Sequence, residues 1–385
     1  MDRFGDKVCC NPAVKLKKQE TYPLIDIDKI TPGYKTVRSV EQVEYTGQSG
    51  AKFKDHDILF ARITPCLENG KVAIADTDGK NGTGSTELFV FRGIEGISDT
   101  DYIYYLLNMK HIRQLAANSM TGASGRQRAD LGFIKRIQWN FPEIDMQKQI
   151  GSILSAYDNL IELNNKRIKI LEQMAENLYK EWFVRFRFPG YQTTEFENGI
   201  PKGWKLSTLG KEVRFVNGRA YLMPELQDEG KYRIVRVGNF SGKDEWFYSD
   251  MELDEEKYCE QGDLLYKWSC NFGPEIWNEE KVIYHYHIWK VLVGEQLNKI
   301  YLYHFLTHST QLWIGGTNGT AMAHITKESM EKKKILVPSE KVLQTFETYS
   351  QNYMQQILSL KKQNNNLIEQ RDLLLPRLMS GKLEV

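Results

Sequence analysis

The chain has 385 residues, with 51 Lys and Arg against 50 Asp and Glu, and a formal net charge of +1. It therefore lacks the overall basic field of a protein that holds nucleic acid by charge alone. Hydrophobic residues make up 41% and aromatics 12%, enough for about two or three domains with proper cores. No run of about 20 apolar residues occurs, and no apolar run follows a basic start, so neither a membrane span nor a secretory leader is expected and the chain reads as cytoplasmic.

Residues 1–141 read as a first α+β module with 20 basic and 17 acidic side chains, net +3. Ile58-Leu59-Phe60-Ala61-Arg62-Ile63 and Glu87-Leu88-Phe89-Val90-Phe91 have strand character, and Tyr102 to Leu115 reads as a short helix. Gly82-Thr83-Gly84-Ser85 lacks the lysine of a phosphate-binding loop and is expected as a turn. Residues 142–188 form a spacer in which Ile150, Ile153, Leu154, Tyr157, Leu160, Ile161, Ile168, Leu171, Met174 and Leu178 recur at three, four and seven. That is the stripe of an amphipathic helix or coiled-coil seam. It follows Pro142, carries Asp145 in its first turn, and is expected to end near Phe183.

A turn-rich linker from Phe188-Pro189-Gly190 to Pro201-Lys202-Gly203-Trp204 opens a second module, residues 189–337, with 18 basic and 21 acidic side chains, net −3. Val282-Ile283-Tyr284 through Val291 reads as strand, and Tyr301 to Trp313 as a short helix. Residues 338–385 hold a second long helix, with Phe346, Tyr349, Tyr353, Ile357, Leu360, Leu367 and Leu374 on its stripe, expected to stop at Pro376. Asn364-Asn365-Asn366 matches the Asn164-Asn165 region of the first helix, and such polar seam residues lower stability but fix register.

These elements occur twice in the same order. Phe4-Gly5-Asp6-Lys7-Val8 is echoed by Leu209-Gly210-Lys211-Glu212-Val213, and Asp57-Ile58-Leu59-Phe60 by Asp263-Leu264-Leu265-Tyr266. Tyr102-Ile103-Tyr104 is echoed by Tyr301-Leu302-Tyr303, and Thr121-Gly122 by Thr317-Asn318. A helix too long to bury its face in one small domain is expected to pack on its own repeat, antiparallel. The fold class is therefore α+β: two globular modules separated by two long antiparallel helices in an intramolecular coiled coil, a pseudo-two-fold repeat.

Catalytic motifs are missing. There is no phosphate-binding loop, no amino-methyltransferase Asn-Pro-Pro-Tyr and no His-Glu-x-x-His. Tyr284-His285-Tyr286-His287 alternates on an expected strand and would place both imidazoles on one face, but lacks further ligands nearby in sequence, so no metal site is expected. Glu255-Glu256-Lys257 is expected as a solvated charge run. Cys9, Cys10, Cys66, Cys259 and Cys270 form no C-x-x-C pair and read as free thiols.

NLYKEWFVRF at the end of the first long helix and LLLPRLMSGKL at the end of the second resemble the two conserved regions of specificity subunits of type I restriction–modification systems. ENGIPKGWKLSTLG at the start of the second module, and DILFARITPCLENGKVAI followed by GSTELFVF in the first, are similar to patterns of the same family. The resemblance covers essentially the whole chain. It implies that residues 1–141 and 189–337 are target-recognition domains, each reading one half of a bipartite, asymmetric site in double-stranded DNA. The helices would set the spacing and dock two methyltransferase subunits, and restriction and translocase subunits would join them. It further implies a subunit without catalysis or cofactor of its own, with S-adenosylmethionine, ATP and Mg on the partners. Competing readings are a peptide-binding coiled-coil scaffold and an autonomous nuclease or methylase.

Candidate DNA contacts are polar turn residues. In the first module these are Arg62, Thr64, Asn69, Lys71, Ser85, Thr86, Arg126, Gln127 and Arg128; in the second they are Lys267, Trp268, Asn271, Asn318, Thr320 and His324. Arg bonds guanine edges bidentately, Asn and Gln bond adenine, and all can hold phosphates. Leu160, Leu171, Leu178, Trp182, Leu360, Leu367 and Leu374 are expected at the helix-pair or partner interface.

Overall fold

The computed structural model describes residues 1–122, 126–241, 245–269, 271–315 and 325–383, and the chain divides into two units. Unit 1 is Met1–Asn165 with Gln363–Val385, and unit 2 is Lys166–Lys362. Among the described residues no helix is long and apolar enough to cross a membrane.

The two main sheets of unit 1 are built from β1 (Val8–Cys10), β2 (Thr21–Ile25), β3 (Thr36–Arg38), β4 (Glu41–Glu44), β5 (Ala51–Phe53), β6 (Ile58–Ala61), β7 (Val72–Asp76), β8 (Gly82–Gly84) and β9 (Leu88–Gly93). They form one sheet in the order β1-β9-β6-β7-β3 and another in the order β4-β2-β8-β5. The central strands are apolar throughout because both of their faces are covered. Ile58, Phe60, Val72, Ile74, Phe89 and Phe91 face one core, while Leu59, Ala73, Ala75, Leu88 and Val90 alternate into the other, the two-residue period of a strand. Helices α1 (Thr100–Asn108) and α2 (Lys110–Asn118) follow. The Asp99 side chain caps α1 by accepting from the Tyr102 amide at 3.0 Å. The expected single helix from Tyr102 to Leu115 is thus two, broken at Met109, whose extended backbone serves both ends.

Unit 2 repeats the plan. Its two main sheets are built from β10 (Val213–Asn217), β11 (Tyr232–Val235), β12 (Phe247–Ser249), β13 (Tyr258–Cys259), β14 (Leu264–Lys267), β15 (Gly273–Ile276), β16 (Val282–Tyr284) and β17 (Ile288–Val293). The sheet orders are β10-β17-β14-β15 and β12-β11-β16-β13. The one parallel pairing of the second sheet recurs as well, β2 with β8 in unit 1 and β11 with β16 in unit 2.

Two expectations about this region are corrected. Gly82-Thr83-Gly84 is strand, not turn. A Cβ on Gly84 would lie 2.1 Å from the Ile25 carbonyl oxygen, so glycine here permits close approach of a neighbouring strand. The strand through Tyr284-His285-Tyr286-His287 is broken between β16 and β17, because His285 and Tyr286 turn aside to bond the backbones of Val235 and Arg219 at 2.9 and 3.0 Å. The described cysteines, Cys9, Cys10, Cys66 and Cys259, are free.

The first long helix, α3, runs Ile144–Tyr179 and ends in a π-turn, Lys180–Val184. Its start is fixed by buried Gln147, whose amide donates to the carbonyls of Pro142 at 2.8 Å and Ile97 at 3.1 Å and accepts from the Asp99 N–H at 3.0 Å. In unit 2, α4 spans Lys299–Gly315. The second long helix, α5, runs Glu340–Met379 and passes through Pro376 rather than stopping there. Pro376 costs a hydrogen bond, roughly 3 kcal/mol in a helix interior. Leu378 and Met379 beyond it are buried in the unit 1 core, each worth about 1.5–3 kcal/mol, and that burial keeps the last turn helical.

Within each unit, segments of the two long helices pair antiparallel. In unit 1 Asp158 meets Arg371 and Asn164 meets Asn364. In unit 2 Ile168 and Leu171 pack with Ile357 and Leu360, and Trp182 with Phe346. Partner numbers fall on α5 as they rise on α3. The helix-end motifs are apolar plugs: Tyr179, Trp182 and Phe183 lie in the unit 2 core, and Leu378 and Met379 in that of unit 1.

Candidate nucleic-acid interface

In unit 1 the chain leaving β6, the chain entering β9 and the segment 126–129 converge. The Arg62 N–H donates to the Glu87 carbonyl at 3.0 Å, Ala129 to Arg62 at 2.8 Å, and Thr64 to Gln127 at 3.0 Å, with a bridge between Ile63 and Arg128. Arg62, Thr64, Ser85, Thr86, Gln127 and Arg128 are thereby brought together, with exposed Arg126 beside them. The Arg62 guanidinium lies over the Phe89 ring, 4.6 Å from its centroid, a cation–π packing that fixes its plane. Arg128 forms a bidentate pair with Glu87, Nε to Oε2 at 2.8 Å and Nη2 to Oε1 at 2.5 Å. Those hydrogen bonds hold the Glu87 carboxyl below its ordinary range. Thr64 Oγ1 donates to Glu68 at 2.9 Å, Ser85 Oγ accepts from the Glu87 amide at 3.1 Å, and Thr86 and Asn69 are exposed.

Lys71 departs from expectation. Its ammonium donates to the Ile27 carbonyl at 2.7 Å, so it ties a loop within the unit instead of pointing outward.

In unit 2 the same strand ends carry different chemistry. The Trp268 N–H donates to the His287 carbonyl at 3.2 Å. Its indole stacks on Trp289, with centroids 5.8 Å apart and planes at 21°, and its Nε1 donates to the Tyr286 carbonyl at 2.8 Å. Asn271 is exposed. Lys267 is not: its side chain is 8% exposed, paired with Glu275 at 3.6 Å and set over the Phe240 ring at 4.9 Å. Burial pushes its pKa down, and it serves the interior. Asn318, Thr320 and His324 lie outside the described residues.

Sequence reasoning passed over Tyr286 and His287 as candidates. The strand pairings reveal them: Ile288 through Val293 takes the place of Leu88 through Gly93 in its sheet, so His285-Tyr286-His287 corresponds to Ser85-Thr86-Glu87. The His285 and His287 rings stand 4.9 Å apart. Burial, with His287 and Arg236 nearby, pushes His285 down to about 4. No group of three or more metal-binding side chains occurs among the described residues. Glu255 and Glu256 are exposed, as expected of a solvated charge run, and pair there with Lys281 and Arg214.

Of the helix residues, Trp182 is buried, Leu178 packs against the unit 2 core and Leu374 against that of unit 1. Leu171 and Leu360 meet in the seam of unit 2, and Leu367 is half-buried. Leu160 is 49% exposed and lies off the seam, which passes through Asp158, Ile161 and Asn164 instead.

The chain is similar to known proteins along most of its length. The type I restriction enzyme MjaIX specificity subunit of Methanocaldococcus jannaschii is 26% identical over 337 residues, covering 82% of this chain and 76% of that protein. The type I restriction enzyme HindI specificity subunit of Haemophilus influenzae is 22% identical over 412 residues, covering 88% of each. The crystal structure of a type I restriction-modification system S subunit from M. genitalium superposes with a TM-score of 0.52 at 15% identity, over 98% of this chain and 95% of that one, a likeness of fold. The sequence pattern of the type I restriction modification DNA specificity domain matches residues 9–173 and again 201–370, so the chain belongs to the type I restriction–modification DNA specificity family.

Proposed function

We propose that unit 1 and unit 2 each read one half of a bipartite, asymmetric site in double-stranded DNA. In this reading the paired helices set the spacing between the halves and dock methyltransferase subunits. The observation that carries it is one strand plan built twice with different side chains at the same strand ends, Arg62, Glu87 and Arg128 against Trp268 and His287. A duplicated scaffold with dissimilar loops suits two dissimilar half-sites, and a stiff helix pair between readers makes half-site spacing a matter of geometry.

The chain does no chemistry alone in this reading. S-adenosylmethionine, ATP and Mg act on the partners, two methyltransferase subunits and the restriction and translocase subunits. Arg62, Thr64, Thr86, Arg126, Gln127 and Arg128 in unit 1, and Trp268 and Asn271 in unit 2, are the proposed contacts. The test is methylome sequencing of a host expressing the chain with its methyltransferase subunit, beside one expressing the methyltransferase alone. Adenine methylation at a split motif that needs this chain is the expected result. Exchange of residues 1–141 for another module then changes one half of the motif only; a change in both halves, or no motif at all, defeats the reading.

A further inference from the structure

The two units can be compared strand by strand. In unit 1 the residue after β6, Arg62, donates its N–H to the Glu87 carbonyl and lays its guanidinium on Phe89. In unit 2 the residue after β14, Trp268, donates to the His287 carbonyl and lays its indole on Trp289. A planar group clamped on a strand aromatic, next to a turn between the parallel-paired strand and the next, is therefore built twice. The turn is Ser85-Thr86-Glu87 in unit 1 and His285-Tyr286-His287 in unit 2.

The unit 2 turn is held rigidly from three sides. The Arg219 N–H donates to the Tyr284 carbonyl and the Tyr286 N–H to the Arg219 carbonyl, both at 3.0 Å, while the His285 N–H donates to Val235 at 2.9 Å. Trp268 Nε1 closes the third side on the Tyr286 carbonyl at 2.8 Å. Gly218 makes this possible, since a Cβ there would lie 2.3 Å from the Tyr284 carbonyl oxygen. On this fixed turn Tyr286 is 38% exposed and stands 3.9 Å, centroid to centroid, from the His287 ring. Of the neighbouring cations, Arg219 is committed to Glu225 by a bidentate pair at 2.7 and 3.0 Å and Arg236 pairs with Glu245 at 3.2 Å. The surface offered is aromatic. Such a surface suits base edges, thymine methyl groups and ring faces, and suits phosphates poorly.

We infer that the His285-Tyr286-His287 turn is the base-reading element of unit 2, with Tyr286 and His287 as specificity-determining residues that contact base edges of duplex DNA. This rests on the function proposed above and adds the residues and the mode of contact. Rigid placement is what such readout requires, because a reader loose by about 1 Å loses its discrimination.

The test uses the full chain assembled with its methyltransferase subunits, carrying Tyr286→Ala, His287→Ala or Tyr286→Phe. Methylation is measured on a library randomised in both half-sites, and DNA affinity is measured across a series of salt concentrations. Tyr286→Ala and His287→Ala should each lower base preference at one position of the unit 2 half-site by roughly 5- to 150-fold. The other half-site and the salt dependence should stay as they are, and Tyr286→Phe should keep most of the preference through its ring. Thermal melting of each variant checks that the fold is retained, as expected for an exposed Tyr286. Unchanged preference in both half-sites overturns the inference. So does a uniform loss of affinity over all sequences with a shallower salt dependence, the mark of a phosphate contact. If the unsubstituted complex methylates no defined site, the underlying function is wrong and the turn's role falls with it.

Discussion

Asn164 and Asn364 are buried against each other in the helix pair of unit 1. Asn164 Nδ2 donates to Asn364 Oδ1 at 3.0 Å, and Asn364 Nδ2 donates to Asn165 Oδ1 at 2.8 Å. An apolar seam tolerates sliding by one helical turn, whereas an amide pair is satisfied in one register only. Stability is given up here for a defined alignment of α3 on α5.

The first prediction follows from that pair. Asn364→Leu removes the partner of both Asn164 and Asn165 and should cost about 1–3 kcal/mol, the penalty for buried polar groups left unsatisfied. Asn164→Leu combined with Asn364→Leu should recover that loss or exceed wild-type stability. Urea unfolding of the two single variants and the double closes a mutant cycle. A double variant as weak as the sum of the singles would show that the amides are not coupled.

Asp158 and Arg371 form the second polar contact of the same helix pair. The distance is 2.5 Å, and the side chains are 4% and 12% exposed; the Tyr105 hydroxyl also donates to Asp158. Removing one member of a buried pair strands the other charge. Arg371→Met should therefore destabilise unit 1 by about 3–5 kcal/mol, and adding Asp158→Leu should restore most of it. Hydrogen exchange of the α1 amides, next to Tyr105, locates the effect; protection unchanged in Arg371→Met would refute it.

How far these contacts were legible in the sequence depends on which force fixes them. The doubled plan, the long helices and the α+β class followed from period and repetition alone, because strand and helix patterns are local. Asn164 and Asn364 could be matched by position in the repeat. Leu160 lies off the helix-pair seam because a three-and-four spacing admits more than one stripe; which one is buried depends on the partner helix. Lys71 and Lys267 looked like surface cations because their acceptors, the Ile27 carbonyl and Glu275, are brought in by folding. Pro376 failed as a helix stop because burial of Leu378 and Met379 is tertiary. The residues proposed to face DNA were the least legible, since turn chemistry tells little about which turns share a surface.

Trp182 supplies a third prediction. It is buried in the unit 2 core, with ring centroids 5.7 Å from Phe346 and 6.0 Å from Tyr349. Trp182→Ala should cost about 3–5 kcal/mol and loosen unit 2 before it affects any docked partner. Circular dichroism of the isolated chain should show the lower melting temperature; unaltered melting would return Trp182 to a role at a partner interface.

A fourth prediction concerns pH. His304 on α4 is buried, its Nε2 has no hydrogen-bond partner among the described residues, and burial pushes its pKa from 6.5 down to about 4, with Glu176 pulling weakly the other way. Tyr179 and His308 lie against the same cluster. Between pH 6.5 and 4 the unfolded chain binds the proton and the folded unit does not, so stability falls as pH falls through that window. The full effect is about 3 kcal/mol. Tryptophan fluorescence in urea at pH 7 and pH 5 follows it well, because every tryptophan except Trp139 lies in unit 2. His304→Leu should flatten the acid side of the profile. An equally steep profile in that variant would assign the sensitivity to another group.

The last prediction tests the helices as a ruler. Seven residues inserted after Asn165 in α3, and seven before Gln363 in α5, leave the Asp158–Arg371 and Asn164–Asn364 contacts of unit 1 untouched. They equally preserve the packing of Ile168 and Leu171 on Ile357 and Leu360 in unit 2. One heptad on each helix keeps the seam continuous, with a drift of about 20°, and lengthens each helix by about 10 Å. At 3.4 Å per base pair that is roughly three base pairs of added spacer. Methylome sequencing should therefore return the same two half-sites with a longer gap. Insertion in one helix alone lets the two sets of contacts no longer form together and should abolish specific methylation. If the double insertion methylates the original spacing with unchanged efficiency, the distance between half-sites is set by something other than the helix pair, and the spacer role proposed for α3 and α5 is wrong.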